Sequence, residues 1–222
     1  MSALSDLVYG KDHGPWPYFT DKYPVKVKDI SGMSEAILSD GSSLNDQLEK
    51  DIREAGDYLG GRTAAKCLMT RWDMHSFYPS FVSVSERAIE IAEACPLATR
   101  TDTDGNPQAT GLFLNDTWGL IYAKGHSANK HNHWPSLWSY TYCVFACENC
   151  SPLVFPHAQE PLSVTPKTSQ MVVFPAWLQH EVPIQTCKHD RIMISGNLNV
   201  LPIDPHPRRV LVQEGALEEF EN

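Results

Sequence analysis

Two histidines separated by one residue, His131 and His133, form the first pattern in the sequence that could do chemistry. Side chains at positions i and i+2 of an extended segment lie on the same side of the backbone, so both imidazoles can reach one metal ion. A third ligand must come from elsewhere, and His180 in the segment VVFPAWLQHEV is the best candidate. Arg191 opens a strand-like run downstream. These residues predict a metal site with three ligands on one side of the ion and an anion-binding arginine beyond it.

A structural interpretation competes with this one, because an isolated His-x-His sequence is more often a pair of locally hydrogen-bonded histidines than a metal site. The context favours the metal. Gly125, five residues and then His131, Asn132 and His133 resemble the opening of the first cupin motif, G-x5-H-x-H. His180 follows a strand and a proline-containing turn, as in the second cupin motif. The glutamate that cupins carry after the histidine pair is missing, since the segment WPSLW holds no carboxylate.

The helices that must support such a site are predicted in the N-terminal part of the chain. The first starts after a serine cap at Ser43 and stops at Gly60-Gly61, and its apolar residues recur at three- and four-residue steps: Leu44, Leu48, Ile52, Ala55 and Leu59. A second helix is predicted from Ser85 to Cys95, before Pro96. Residues 1–41 show no clear period, although YPVKVKDI could supply one early strand. Both apolar stripes need a sheet to cover them.

Beyond Pro96 the sequence changes to short strand-like runs, so we place the transition from helical to β structure near residue 100. The eight runs are GLFLN, TWGLIYAK, LWSYTYCVFA, SPLVF, LSVTP, QMVVFP, LQHEVPI and RIMISGNLNV. Eight short strands suggest a sandwich or jelly-roll barrel. We expect a single domain over residues 1–222, with an extension and supporting helices in 1–100, the β core in 101–205 and a mobile acidic tail in 206–222.

Composition limits the partners that we expect. The chain of 222 residues has a net charge of −9 and a pI near 5.4, and it shows no clustering of lysine and arginine. A nucleic-acid partner is therefore not expected. No apolar run approaches the roughly 18 residues of a membrane span, and the first residues lack the layout of a signal peptide. We expect a soluble, cytoplasmic protein without a membrane partner; the pattern does not predict an oligomeric state.

The six cysteines are predicted to be reduced thiols, because the chain shows no secretory signal. Cys147 and Cys150 form a CxxC pair between two strand-like runs. One such pair without a second is weak evidence for zinc, so we interpret it as a hairpin turn. Cys67, Cys95 and Cys187 are predicted to be structural.

Two segments resemble a known family, the 2-oxoglutarate- and Fe(II)-dependent oxygenases of the phage and bacterial type. HNHWPSLWSYTYCV is similar to the family's H-x-H-P...SGVYYV segment, and VVFPAWLQHEVPIQTCKHDRIMISGNLNV to its L-x-F-P-x-W-L-x-H-x-V...R-I-S-I-S-F-N segment. The likeness covers about residues 112–200. It implies a mainly β protein with N-terminal helices, folded as a double-stranded β-helix, that is, a jelly-roll or cupin-like barrel. It also implies iron at the open end of the barrel and 2-oxoglutarate as cosubstrate.

The resemblance assigns roles to individual residues. His131, His133 and His180 would hold Fe(II), and Arg191 would pair with the distal carboxylate of 2-oxoglutarate, whose geometry a guanidinium matches with two hydrogen bonds. Every second residue of a strand that starts at Arg191 shares its face, so the Ser195 hydroxyl can support the same carboxylate and Asn197 can line the pocket. The competing interpretation is that Arg191 is a surface charge beside Asp190.

The sequence departs from the wider superfamily at His133, where most relatives have an aspartate that completes a 2-His-1-carboxylate triad. Our leading hypothesis is an Fe(II)- and 2-oxoglutarate-dependent dioxygenase. It would use O2 to hydroxylate an unidentified small molecule or protein side chain, with release of succinate and CO2. One alternative is a three-histidine iron dioxygenase that does not use 2-oxoglutarate. Another is a non-catalytic metal-binding module with a cupin-like fold.

Overall fold

The computed structural model of the protein describes residues 25–35, 38, 41–95, 99–101, 107–109, 111–157 and 161–200. These residues form helices α1 (Ser31–Ser34), α2 (Leu44–Ala55) and α3 (Pro79–Glu93), with a 3-10 turn at Met74–Ser76. They also form the strands β1 (Lys26–Asp29), β2 (Ala65–Lys66), β3 (Leu68–Met69), β4 (Thr99–Thr101), β5 (Pro107–Ala109), β6 (Leu112–Tyr122), β7 (Ser127–His131), β8 (Trp138–Phe145), β9 (Leu153–Phe155), β10 (Leu162–Val164), β11 (Gln170–Pro175), β12 (His180–Val182) and β13 (Arg191–Val200).

Strands β6 to β13 build two antiparallel sheets. The larger has the order β11-β8-β13-β6, with β1 and β3 at its edges, and the smaller has the order β10-β9-β12-β7, with β2 at one edge. Successive strands alternate between the two sheets, except that β9 and β10 are neighbours in the same sheet. This alternation wraps the chain into a jelly roll. It brings β7 and β12, which carry the predicted ligands, side by side.

The helices cover one face of the larger sheet. Leu48 and Ile52 of α2 and Phe81, Val84 and Ala88 of α3 are all fully buried, in one apolar cluster with alternate residues of β8, β11 and β13. Those strand residues are Tyr140, Tyr142, Val144, Met171, Val173, Ile192 and Ile194. The predicted apolar stripes are therefore covered by a sheet. Because side chains of a strand alternate between its two faces, the opposite set of residues is left to face the smaller sheet.

A second apolar cluster fills the space between the two sheets. It combines residues of the larger sheet with residues of the smaller one, including Trp118, Leu120, Tyr122, Cys143, Phe174 and Met193 from the former and Leu153, Phe155, Val164 and Val182 from the latter. The cavity of the candidate site lies in this space between the two sheets. Burial of both faces explains why β8 and β13 have almost continuous buried runs.

The boundaries of the predicted helices differ from the observed ones. Helix α2 begins as expected, because Ser43 caps it: the Asp46 amide donates to Ser43 Oγ (3.2 Å) and the Ser43 amide donates to the Asp46 carboxylate (3.0 Å). It ends at Gly56, which has a φ of 69°, and so stops before the predicted Gly60-Gly61. Helix α3 begins at Pro79 instead of Ser85, since proline is well suited to the first position of a helix.

The predicted strands also need correction. The runs GLFLN and TWGLIYAK form one strand, β6, and β7 was not predicted as a strand. The early strand predicted in YPVKVKDI is present as β1. The predicted tail, residues 206–222, lies outside the described residues. None of the helices in the described part of the chain is long and apolar enough to cross a membrane.

A glycine sets the distance between helix α2 and the larger sheet, and this predicts a stability effect. A Cβ added at Gly119 of β6 would lie 2.5 Å from Cγ1 of Ile52, a side chain that is fully buried. We expect Gly119→Ala to lower the free energy of unfolding by about 1–3 kcal/mol, because the helix must shift. Denaturant unfolding measures this.

The matched control is Gly32→Ala in α1, where an added Cβ meets no atom within 4 Å. It should leave stability unchanged or raise it slightly. Equal stability of the Gly119 and Gly32 variants would contradict the close packing.

Candidate metal centre

The three predicted histidines lie together at the ends of two paired strands. His131 is the last residue of β7, His180 is the first residue of β12, and the two are directly opposite in the ladder. His133 follows two residues after β7, where its amide donates to the Ala176 carbonyl (2.7 Å). His131 and His180 are far apart in the sequence, and the antiparallel pairing of β7 with β12 brings them together. The structure brings the whole predicted ligand set to one place.

The spacing of the ring nitrogens suits a metal ion. All three histidines offer a ligand nitrogen within 4.8 Å of the others. His133 Nε2 and His180 Nε2 are 3.2 Å apart. An ion that binds two imidazoles at about 2.1 Å and at right angles holds their nitrogens about 3.0 Å apart. The geometry fits three ligands on one face of an ion, with the remaining positions open.

Backbone carbonyls orient two of the rings. His131 Nδ1 lies 2.7 Å from the Asn129 carbonyl, and His180 Nδ1 lies 2.9 Å from the Leu178 carbonyl. A carbonyl only accepts, so each Nδ1 carries the proton and each Nε2 keeps its lone pair. Histidines that bind a metal through one ring nitrogen commonly donate from the other to a backbone carbonyl in this way. The two carbonyls were not found from the sequence, since nothing in the sequence marks a main-chain acceptor.

The imidazoles are neutral at neutral pH. Burial lowers the pKa of His180 to about 3, with a smaller contribution from His131. Burial and then the neighbouring rings His180 and His131 hold the pKa of His133 well below its usual value, and burial also lowers that of His131. A metal ion can therefore bind to these imidazoles without first removing a proton from a charged ring. The rings are packed by Phe174, whose centroid is 4.8 Å from that of His180, and by Trp118, 5.7 Å from that of His133.

Arg191 is buried without an ion-pair partner among the described residues. Only 2 % of the residue is exposed, and its Nε and Nη1 have no hydrogen-bond partner among the described residues. Its guanidinium carbon lies 5.1 Å from the centroid of the Tyr122 ring, a cation–π contact. No carboxylate forms an ion pair with it in the described part of the chain. The competing interpretation, a surface charge beside Asp190, is therefore wrong; Asp190 pairs instead with Arg53 (3.1 Å).

The groups around Arg191 do not balance its charge. Burial raises the pKa of the Cys67 and Cys143 thiols to about 12, and burial also raises the pKa of the Tyr122 hydroxyl. All three are neutral at neutral pH. Burial lowers the pKa of Arg191, but a guanidinium stays protonated in proteins. A buried cation that has two nitrogens without partners and no counter-charge in the described part of the chain has the chemistry to hold an anion.

One cavity joins the histidines to the arginine. Its volume is about 260 Å³, and its wall includes His131, His133, His180, Arg191 and Ser195. This volume lies just below the roughly 300 Å³ at which ordinary ligand pockets begin, which suits a small ligand. Two aromatic rings of the wall, Trp72 and Trp118, were not predicted as site residues. Their centroids are 5.4 Å apart.

The two other residues predicted to bind the cosubstrate have different positions. Ser195 lies on the cavity wall and donates to the Thr141 hydroxyl (3.3 Å). Asn197 is absent from the described residues of the wall. Its amide oxygen accepts from Ser139 (2.7 Å) and its amide nitrogen donates to Asp116 (2.6 Å). Asn197 lies on the same face of β13 as Arg191 and Ser195, but its side chain is hydrogen-bonded to Ser139 and Asp116, away from the cavity.

Solved structures of other proteins have a similar fold, although no protein-family model matches the sequence and no curated protein matches it. A viral collagen prolyl hydroxylase from Paramecium bursaria Chlorella virus-1, in complex with 2-oxoglutarate, has a TM-score of 0.55 at 14% identity and covers 78% of this chain and 94% of that one. A Pseudomonas putida prolyl-4-hydroxylase has a TM-score of 0.54 at 11% identity, covering 80% and 92%. HygX from Streptomyces hygroscopicus, with nickel, 2-oxoglutarate and hygromycin B bound, has a TM-score of 0.54 at 10% identity, covering 80% and 83%.

At these identities the likeness shows the fold. The chain is a mainly β protein with the double-stranded β-helix found in 2-oxoglutarate-dependent oxygenases, as the sequence predicted. The larger and smaller sheets are its two layers. The candidate metal centre lies between them.

Removal of His180 tests the metal centre. We expect His180→Ala to weaken Fe(II) binding more than about tenfold, because one of three ligands is lost. Anaerobic metal titration measures the affinity, and circular dichroism checks the fold. The matched control is His157→Ala, an exposed histidine after β9. Metal affinity equal to that of the wild type in His180→Ala would remove this residue from the site.

The uncharged ligand at position 133 generates a second prediction. His133→Asp supplies the carboxylate of a 2-His-1-carboxylate triad, so it should keep or strengthen Fe(II) binding, whereas His133→Leu should lose it. The same titration compares the two variants. If His133→Leu binds Fe(II) as the wild type does, His133 is not a ligand.

Proposed function

We propose that the protein is an Fe(II)- and 2-oxoglutarate-dependent dioxygenase that hydroxylates a C–H bond of a substrate. The observation that carries the proposal is the unpaired guanidinium of Arg191 on the wall of the cavity that the three histidines also line. A metal ion at the histidines does not explain why the cation of Arg191 is buried nearby. An anionic ligand that contacts the metal and the guanidinium explains the histidine cluster and the buried arginine together.

A dicarboxylate has the required chemistry. One carboxylate of 2-oxoglutarate would pair with Arg191, whose Nε and Nη1 have no hydrogen-bond partner among the described residues. A guanidinium can hold a carboxylate by two parallel N–H···O bonds. The Ser195 hydroxyl, on the same face of β13, would support that carboxylate. The 2-oxo acid end would then be directed toward the histidines. Solved neighbours described as containing iron, or nickel with 2-oxoglutarate, have this fold and support the choice of cofactors.

Each group of the protein has a separate task. His131, His133 and His180 would hold Fe(II), which with 2-oxoglutarate bound supplies O2 activation: substrate C–H, O2 and 2-oxoglutarate become C–OH, succinate and CO2. Arg191 binds and orients the cosubstrate. Phe174 packs against the ring of His180 and Trp118 against that of His133, and these contacts hold the rings in place.

The ligand set supports a second candidate. No carboxylate belongs to the three-histidine cluster among the described residues. A three-histidine iron dioxygenase, which binds its substrate directly at the metal, would have this donor set. In that enzyme Arg191 would bind an acidic group of the substrate, and 2-oxoglutarate would not be consumed.

Substitution of Arg191 separates the two candidates. Arg191→Leu should weaken 2-oxoglutarate binding at least about tenfold, since loss of one partner of a buried charge pair costs about 2–5 kcal/mol. Arg191→Lys should recover part of the loss, because an ammonium keeps the charge but not the two parallel N–H groups. Binding is measured by anaerobic titration of 2-oxoglutarate into the Fe(II)-loaded protein.

Two controls make the result specific. Arg87→Leu replaces an exposed arginine of α3 that pairs with Glu90, and it should not change the affinity. Fe(II) affinity and thermal stability of Arg191→Leu should equal or exceed those of the wild type, because the variant removes a buried charge without a partner. Equal 2-oxoglutarate affinity in Arg191→Leu and the wild type would contradict the proposal and favour the three-histidine dioxygenase.

A further inference from the structure

Three cysteines from two separate loops meet at another part of the molecule. Cys147 and Cys150 lie between β8 and β9, and Cys187 lies between β12 and β13. The three Sγ–Sγ distances, Cys147 to Cys150, Cys147 to Cys187 and Cys150 to Cys187, are each 3.6 Å. The sulfurs therefore form an equilateral triangle. The sequence has no second CxxC pair to accompany Cys147 and Cys150, but the fold brings Cys187 to them, with His189 two residues later.

The triangle has the size of a tetrahedral metal site. Zinc binds thiolates at about 2.3 Å, and two ligands at a tetrahedral angle are then about 3.8 Å apart. A disulfide holds its sulfurs at about 2.05 Å and joins only two of them. The three equal Sγ–Sγ distances are close to the separation expected for thiolates that share one zinc ion. They do not match a disulfide between two of the cysteines.

A fourth ligand is within reach. His189 offers a ring nitrogen within 4.8 Å of both the Cys147 and the Cys187 sulfurs. Its side chain is exposed, so the ring is free to turn toward the centre of the triangle. Three cysteines and one histidine are a common set of ligands for structural zinc. The order along the chain is C-x-x-C followed by C-x-H, each pair on one loop.

A buried amide supports the sulfurs. Gln185 is 1 % exposed, and its Nε2 donates to Cys187 Sγ (3.1 Å) and to Cys150 Sγ (3.2 Å). Its amide oxygen accepts from the Ser151 backbone (2.7 Å). Hydrogen bonds to a thiolate are stronger than those to a thiol, so this arrangement favours the charged form that a metal needs.

We propose that Cys147, Cys150, Cys187 and His189 form a structural zinc site, separate from the three-histidine centre. The ion would join the β8–β9 loop to the β12–β13 loop. The second loop leads from His180 to Arg191, so the ion would fix the start of β13, on which the guanidinium lies. The main chain of Gln185 also pairs with the turn between β6 and β7, through Gly125 and His126. Three loops would therefore be held at one point.

The test uses the full chain, purified with zinc and a reducing agent, with metal content measured by mass spectrometry. His180→Ala removes a ligand of the other centre and should keep one equivalent of zinc. Adding Cys187→Ser to that variant should lose this equivalent. Cys95→Ser is the matched control, because Cys95 is a buried thiol at the end of α3 that donates to the Ile91 carbonyl (3.4 Å), as a serine can. Added to His180→Ala, it should keep the zinc.

Cobalt identifies the ligands without relying on the cysteine variants. Co(II) loaded into the His180→Ala protein should show sulfur-to-cobalt charge-transfer bands, which imidazoles alone do not give, together with the visible bands of a tetrahedral ion. A spectrum without thiolate bands, or a zinc content of zero in His180→Ala, would overturn the proposal. Finding a Cys147–Cys150 disulfide in metal-free protein that unfolds at the same temperature as the zinc-loaded protein would also overturn it.

Discussion

The burial of one guanidinium without an opposite charge is the constraint on which the candidate site depends. Removing a cation from water costs several kcal/mol unless a partner replaces the lost hydration. Around Arg191 the structure provides an aromatic ring and thiols that burial keeps neutral, but no carboxylate among the described residues. Hydrophobic packing elsewhere must offset this cost. An anion bound to Arg191 would recover it, and the proposed ligand would then meet a site that is already formed.

The alternation of β13 is what makes this arrangement possible. Ile192 and Ile194 face the helices, where they are covered by α2 and α3, while Arg191, Met193 and Ser195 face the interior between the sheets. One face of β13 therefore belongs to the hydrophobic core under the helices, and the other face carries residues of the candidate site. The helices are necessary because they bury the outer face of the sheet; without them the outward apolar residues would be exposed to water. Gly119 permits the close contact between α2 and the sheet. Packing on one side of the strand holds the functional side chains on the other.

Two candidate metal centres of different character follow from the same topology. Pairing of β7 with β12 puts His131 opposite His180, in a cavity where positions on the ion can stay open to ligands. The loop that follows β12 places Cys187 next to the loop after β8. Four protein ligands are available there, and a site with four protein ligands has no open position on the ion. The first arrangement suits chemistry at the ion, and the second suits stabilisation. Because the loop between them connects His180 with Arg191, the proposed zinc would act on the geometry of the other centre.

Local pattern in the sequence determined the His131–His133 pair, the face shared by Arg191 and Ser195, the capped start of α2 and the strand-rich second half of the chain, because each depends on spacing along one segment. His180 and the role of Arg191 came from the resemblance to known motifs, and the pairing of β7 with β12 brought His180 to the other two histidines. Only the tertiary structure decided the rest. It showed that Arg191 has no counter-charge among the described residues, that Asn197 bonds to Ser139 and Asp116, that β6 is one long strand, and that Cys187 completes the triangle with Cys147 and Cys150. These facts depend on which distant segments the strand pairing brings together. Residue types within a segment do not contain that information.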